Sequence, residues 1–267
     1  MKKEEKVRLP YVPTYGEEVA NTVSHAVMLP LTLCLLPFAA VWTYLHDARP
    51  VLASVSVSVC VISIFLMLLA STLYHSMRPD SKHKAVFHKL DHIFIFVAIA
   101  GTYTPVALLV IGGWQGVFVT VLQWTAVLLG ILYKTLARRS IPALSLTIYL
   151  VMGWTAIFFL PRLIRNASLP LLLLILLGGV LYTAGAIVYA KKGFRYHHLV
   201  WHLFIDLALL SHLAGNKNEK VSLLGNFRYR DSGSFSVPIK SNRARAVISG
   251  SSRNPMCPEC SSQAMRA

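Results

Sequence analysis

Six stretches of this chain run for about twenty residues each without a single Asp, Glu, Lys or Arg: 26–45, 51–74, 93–111, 116–133, 141–161 and 166–190. At 1.5 Å of rise per residue, ~20 residues of helix cross the ~30 Å hydrocarbon core of a bilayer. No water pairs with the backbone there, so apolar spans of this length must be helices. A seventh stretch, 199–214, is shorter and contains one acid, Asp206. The sequence therefore predicts an all-α integral membrane protein, a seven-transmembrane helix bundle whose seventh helix is short. Composition agrees, with 55% hydrophobic and 14% charged residues, against about 25% charged in soluble domains.

The formal net charge of +15 would suit nucleic acid, but its distribution points to a membrane. With seven spans and the N-terminus inside, the inner segments hold fourteen Lys and Arg, among them Arg78, Lys84, Lys134 and Lys191. The outer loops hold only Arg49, Arg162 and Arg165. Basic residues accumulate on the cytoplasmic side of membrane proteins, so the N-terminus is expected in the cytoplasm and no nucleic-acid partner is expected. The expected location is the plasma membrane, or the cytoplasmic membrane of a bacterium. The first apolar block is too long and too far from the N-terminus for a cleavable signal and is expected to serve as the insertion signal itself.

Residues 1–20 form a charged cytoplasmic segment, 21–214 the transmembrane domain and 215–267 a basic, Ser-rich tail. The tail has ten serines, nine Lys or Arg and three acids, too little apolar surface to offset the entropy of ordering, so disorder is expected. It is either a genuine basic tail or foreign sequence joined to a shortened seventh span by splicing or a frameshift. Cys34 and Cys60 lie inside spans and read as packing residues. Cys257 and Cys260 make one CxxC in the tail, half of a zinc site. Pro30, Pro37 and Pro105 predict local kinks. The loop 76–91 has room for a short surface helix, and Asn166-Ala167-Ser168 forms a glycosylation sequon in an outer loop.

On this topology the histidines gather at one face. His75 ends the second span, with Ser71 one turn earlier on the same side. Asp91 and His92 open the third span, and His198 and His202, at i and i+4, open the seventh. Two histidines on one helix face and a third from another helix make a three-nitrogen site. Zinc held by three protein ligands with an open fourth position is a catalytic arrangement that lowers the pKa of bound water to ~7. Asp91 could orient or deprotonate that water, and Ser71 could hydrogen-bond to it or to a substrate carbonyl. The other reading of an HxxxH on a span is a pair of imidazoles bonded to carbonyls or lipid headgroups.

Several pieces recur in known order: Glu17-Glu18-Val-Ala-Asn21-x-x-x-His25, Ser71-x-x-x-His75, Lys89-Leu-Asp91, Gly101-x-Tyr-Thr-Pro105, and His198-x-x-x-His202 with His212 ten residues on. Across about residues 14–213 the chain resembles the hemolysin III branch of the progestin and adipoQ receptor family, within a superfamily that includes the alkaline ceramidases. The resemblance implies a seven-helix bundle with zinc held by His75, His198 and His202 near the cytoplasmic face. It also implies that Asp91 and Ser71 sit beside the metal-bound water. Asp206 departs from the family, where that position is usually apolar. It continues the His198–His202 face and reads either as an extra ligand or proton relay, or as a protonated acid paired with a neighbouring helix. Glu17, Asn21 and His25 read as helix-start and interhelical hydrogen-bonding residues, His212 as too distant to share the ion, and Tyr103 and Thr104 as partners for backbone groups freed at Pro105. Trp42 and Trp114 read as interface aromatics.

Three functions share these residues. The first is a zinc-dependent hydrolase of lipid amides or esters, with a membrane lipid as substrate. The second is a receptor in which zinc is structural and a lipid is the ligand. The third is a membrane-permeabilising protein, for which the uncharged spans offer little polar lining.

Overall fold

The computed structural model describes residues 13–137, 141–191 and 193–213, with only the backbone for 212 and 213. These residues belong to a compact unit, Met1–Arg230. The tail from 215 onward, with Cys257 and Cys260, lies outside the described residues, as does the side chain of His212.

Among the described residues all regular structure is helical. Six helices are long and apolar enough to cross a membrane: Tyr15–His46, Pro50–Ser76, Lys84–Ile111, Gly113–Leu136, Pro142–Asn166 and Leu169–Lys191. We label them by their α-helical parts: α1 (Tyr15–His46), α2 (Pro50–Ser76), α3 (Lys84–Pro105), α4 (Gly113–Leu136), α5 (Pro142–Trp154) with its continuation α6 (Leu160–Asn166), and α7 (Leu169–Lys191). The seventh apolar block forms α8 (His197–Leu213), 17 residues long. The protein is thus a multi-pass membrane protein, all-helical among the described residues. Its outer faces carry large apolar side chains, Val27, Phe38, Leu128, Leu129 and Val180 among them, more than water tolerates and suited to lipid.

Helix ends follow local chemistry. Prolines 50, 142 and 161 sit at the starts of α2, α5 and α6, where a missing N–H costs nothing. The N-terminus of α1 is closed by Glu17, whose Oε2 accepts from both the Thr14 amide and hydroxyl at 2.8 Å. This helix starts at Tyr15 rather than near residue 21, so it takes in the acids of the lead-in. Likewise α3 starts at Lys84. The expected surface helix in the loop before it is instead the first two turns of α3, and Asp91 lies well inside that helix.

Pro30 and Pro37 lie within an uninterrupted α1. At Pro105 the ladder changes, and α3 continues as a π-helical stretch, Val106–Ile111, since a proline cannot donate to the turn before it. That stretch ends at Gly112 and Gly113, both with positive φ, a conformation open mainly to glycine. Its last carbonyls are capped from other segments. Arg49 donates to Leu108 and Leu109, and Asn166 to Val110. Asn166 of the sequon is therefore a structural donor. Tyr103 and Thr104 do not serve the freed groups at Pro105. Thr104 bonds within its own helix to Ala100, while Tyr103 donates to the Gly153 carbonyl and accepts from the Ala156 amide. It thereby braces the point where α5 tightens into a 3-10 turn, Thr155–Phe159.

The core forms where α8 packs between α1 and α7. Met67 and Leu68 of α2 meet Trp201, Ile205 and Leu209 of α8. Contact is close at Gly185 of α7, where a Cβ would come within 2.8 Å of the Trp201 ring. Cys60 belongs to this core, whereas Cys34 is exposed on α1.

Candidate metal centre

At the end of the bundle where α2 finishes and α3 and α8 begin, three imidazoles converge. His75, His198 and His202 each present a ring nitrogen, and these nitrogens all lie within 4.8 Å of one another. The ring centroids of His75 are 4.9 Å from His198 and 5.2 Å from His202, and the i, i+4 pair is 4.6 Å apart. His75 and His202 are buried and His198 half-buried. Chain positions more than 120 residues apart thus meet because side chains of α2 and α8 share one core, with α1 packed against both helices.

The donor set fits a zinc-type ion. Neutral imidazole nitrogens bind zinc at about 2.0–2.1 Å, and small side-chain rotations would bring three nitrogens this close onto one ion. The Nε2 of His75 is buried without a hydrogen-bond partner among the described residues, which costs about 1–3 kcal/mol if nothing binds it. Among the described residues this is the one group of three or more His, Cys, Asp or Glu side chains with metal-ligand spacing.

Ser71 and Asp91 line the same small cavity as His198 and His202, about 40 Å³ in volume. Both residues are buried. Asp91 also faces a wider polar opening of about 230 Å³, bordered by Glu18, His75, His88 and His197. On the other side the small cavity shares Met67, Ile95, Leu146 and Trp201 with an apolar cavity of about 130 Å³ that continues among α3, α5, α7 and α8. The site thus has a polar side and an apolar side.

Asp206 does not join the three histidines. Its carboxylate lies 3.9 Å from Nε2 of His25 on α1, too far for a hydrogen bond. His25 is not a helix-start residue. It stacks on His202 at 3.8 Å between centroids, and neither of its ring nitrogens has a hydrogen-bond partner among the described residues. Asn21 accepts at its backbone carbonyl from the His202 ring. Glu17 does both jobs expected of it, since its Oε1 accepts the Tyr196 amide just before α8 at 2.9 Å. Tyr196 there has a positive φ.

Sequence reasoning missed Glu18. Its Oε2 is 2.6 Å from Nδ1 of His75 and its Oε1 is 2.8 Å from Nζ of Lys84. Lys84 also donates to the Met77 carbonyl at 3.0 Å. A buried histidine at the end of one span and an acid at the start of another were the available signal.

Comparison with known proteins identifies the family. The Haemolysin-III related family pattern matches residues 14–213. The Hemolysin-3 homolog of Bacillus subtilis (strain 168) is 36% identical over 196 residues, covering 72% of this chain and 89% of that protein. Hemolysin-3 of Bacillus cereus is 34% identical over 189 residues, covering 71% and 85%. The matched region takes in every helix from α1 to α8 and all three converging histidines, so the chain belongs to the hemolysin III family.

Proposed function

We propose that this protein is a zinc-dependent hydrolase of lipid amide or ester bonds, with His75, His198 and His202 as the metal ligands. The observation that carries the reading is the three-histidine cluster beside a buried acid and hydroxyl, flanked by an apolar cavity. Zinc in such a site supplies Lewis acidity, which polarises a carbonyl and acidifies water. Asp91 takes a proton from the attacking water at a carboxylate oxygen and returns it to the leaving amine or alcohol. Ser71 donates a hydrogen bond to the substrate carbonyl. Met67, Ile95 and Leu146 hold the apolar chain of the substrate and keep bulk water away from the scissile bond.

The same reading takes α8 as a seventh span and sets the histidine end in the cytoplasm. Arg78, Lys84 and Lys89 lie in or beside the loop at that end, which supports the orientation through the bias of basic residues towards the cytoplasmic side. The test is release of fatty acid from labelled ceramide and glycerolipids by the purified full chain. Turnover should disappear in His202→Ala and in chelator-treated protein, and return to the latter with zinc. A protein loaded with zinc that hydrolyses none of these lipids would sink the hydrolase and favour a receptor with structural zinc.

A further inference from the structure

We infer that α1, which supplies no ligand, selects the nitrogen that two of the three histidines present to a metal, through Glu18 for His75 and through Ser24 and the Asn21 carbonyl for His202. The inference rests on the three-histidine reading above and adds to it the residues that orient the ligands.

For His75 the argument is one of hydrogen-bond chemistry. A carboxylate only accepts, so at 2.6 Å from Glu18 the Nδ1 of His75 must carry the proton. The lone pair then resides on Nε2, the buried nitrogen that has no hydrogen-bond partner among the described residues. Lys84 holds the other carboxylate oxygen at 2.8 Å and is itself tied to the Met77 carbonyl. The carboxylate is thus fixed from both sides, and the ring behind it cannot turn over without breaking a charge-assisted bond.

For His202 the same tautomer follows from different groups. Its Nδ1 lies 3.2 Å from the Asn21 carbonyl and 3.0 Å from the Ser24 hydroxyl. The carbonyl only accepts, and Ser24 donates its proton to that same carbonyl at 2.8 Å. A lone pair on Nδ1 would face oxygen lone pairs, so Nδ1 is the donor and Nε2 is left free. His25 stacked on the ring fixes its plane. Three residues at successive i+3 steps on one helix, Glu18, Asn21 and Ser24, thereby impose the same protonation pattern on ligands from α2 and α8. A pair of accidental interhelical contacts would have no reason to agree.

Partners of this kind, set behind metal-bound imidazoles, are worth about 10–100-fold in metal affinity. The experiment is competition for Zn²⁺ by full-length purified protein, with the absorption of the Co²⁺-substituted form and ¹⁵N NMR of the histidine rings alongside. Glu18→Leu should lose about 10–100-fold in Zn²⁺ affinity and alter the Co²⁺ spectrum. Glu18→Gln, which keeps an acceptor, should recover much of that loss. Ser24→Ala should lose less, since the Asn21 carbonyl remains, and it carries the test if Glu18→Leu does not fold. The metal-free wild type should show His75 and His202 protonated at Nδ1. Unchanged affinity and spectra in both Glu18→Leu and Ser24→Ala, or rings protonated at Nε2, would overturn the inference. Failure of the wild type to bind Zn²⁺, or equal binding by His75→Ala, would instead overturn the three-histidine site itself.

Discussion

His25 of α1 lies face to face with His202 of α8, with ring centroids 3.8 Å apart and planes within 15° of parallel. The contact is between rings, not polar atoms, since both His25 nitrogens lack partners among the described residues. His25→Phe keeps the ring and removes two buried unpaired nitrogens, a change that is neutral or stabilising when the shape is preserved. Thermal unfolding in detergent should show no loss of stability, and metal analysis should still find about one zinc per chain, as a three-ligand site requires. Loss of zinc from this variant would make His25 a ligand.

Zinc content should respond differently at the converging three. His75→Ala, His198→Ala and His202→Ala should each lower it well below the wild-type level in metal analysis of purified protein. Undiminished zinc in any one of them would remove that residue from the ligand set.

Metal removal should also cost stability, because an ion that binds only the folded state stabilises it by mass action. With free zinc at 100 times its Kd the gain is about 2.7 kcal/mol. Chelated protein should therefore melt lower than zinc-loaded protein, and the gap should vanish in His75→Ala. An equal gap in that variant would mean that zinc acts elsewhere.

Asp206 is buried one turn beyond His202, and its Oδ1 has no hydrogen-bond partner among the described residues. An isolated buried acid is a burden that an apolar residue of similar volume relieves. Asp206→Leu should raise stability by about 1–2 kcal/mol and leave metal content unchanged. A stable variant that keeps its zinc but loses lipid turnover would give Asp206 a part in the chemistry.

Gly185 tests how α8 is seated. A side chain there would meet the Trp201 ring and the Phe204 Cβ at 2.8 Å, and overpacking of this kind costs about 1–3 kcal/mol. Gly185→Leu should melt lower and bind Zn²⁺ more weakly, because His198 and His202 ride on the displaced helix. Unaltered zinc affinity in a destabilised variant would show that the site tolerates movement of α8.

The six long helices were legible because uncharged runs leave a chain no alternative in a membrane. Their ends were less so. Lys84 and Lys89 made the start of α3 look like loop, although they lie along a continuing helix. The break in the fifth span had a cue in Pro161, which opens α6, but the partner that braces it lies 50 positions earlier, at Tyr103. The histidine cluster was foreseeable, since charge bias and family resemblance both set His75 beside His198 and His202. The orienting role of α1 was not. Glu18 reads in one dimension as an ordinary acid near a helix start, and its pairing with His75 spans 57 residues. The bond exists only once α1 is packed on α2.

The Tyr103 hydroxyl grips both lips of the break in the fifth span, the Gly153 carbonyl and the Ala156 amide. That span is therefore braced by a neighbour at the point where its own ladder tightens. Asp91 rides on the same helix as the brace, about three turns away. A slide of α3 along its axis would carry the acid and the brace together, so a joint in one helix is mechanically tied to the buried acid that lines the histidine cavity from another.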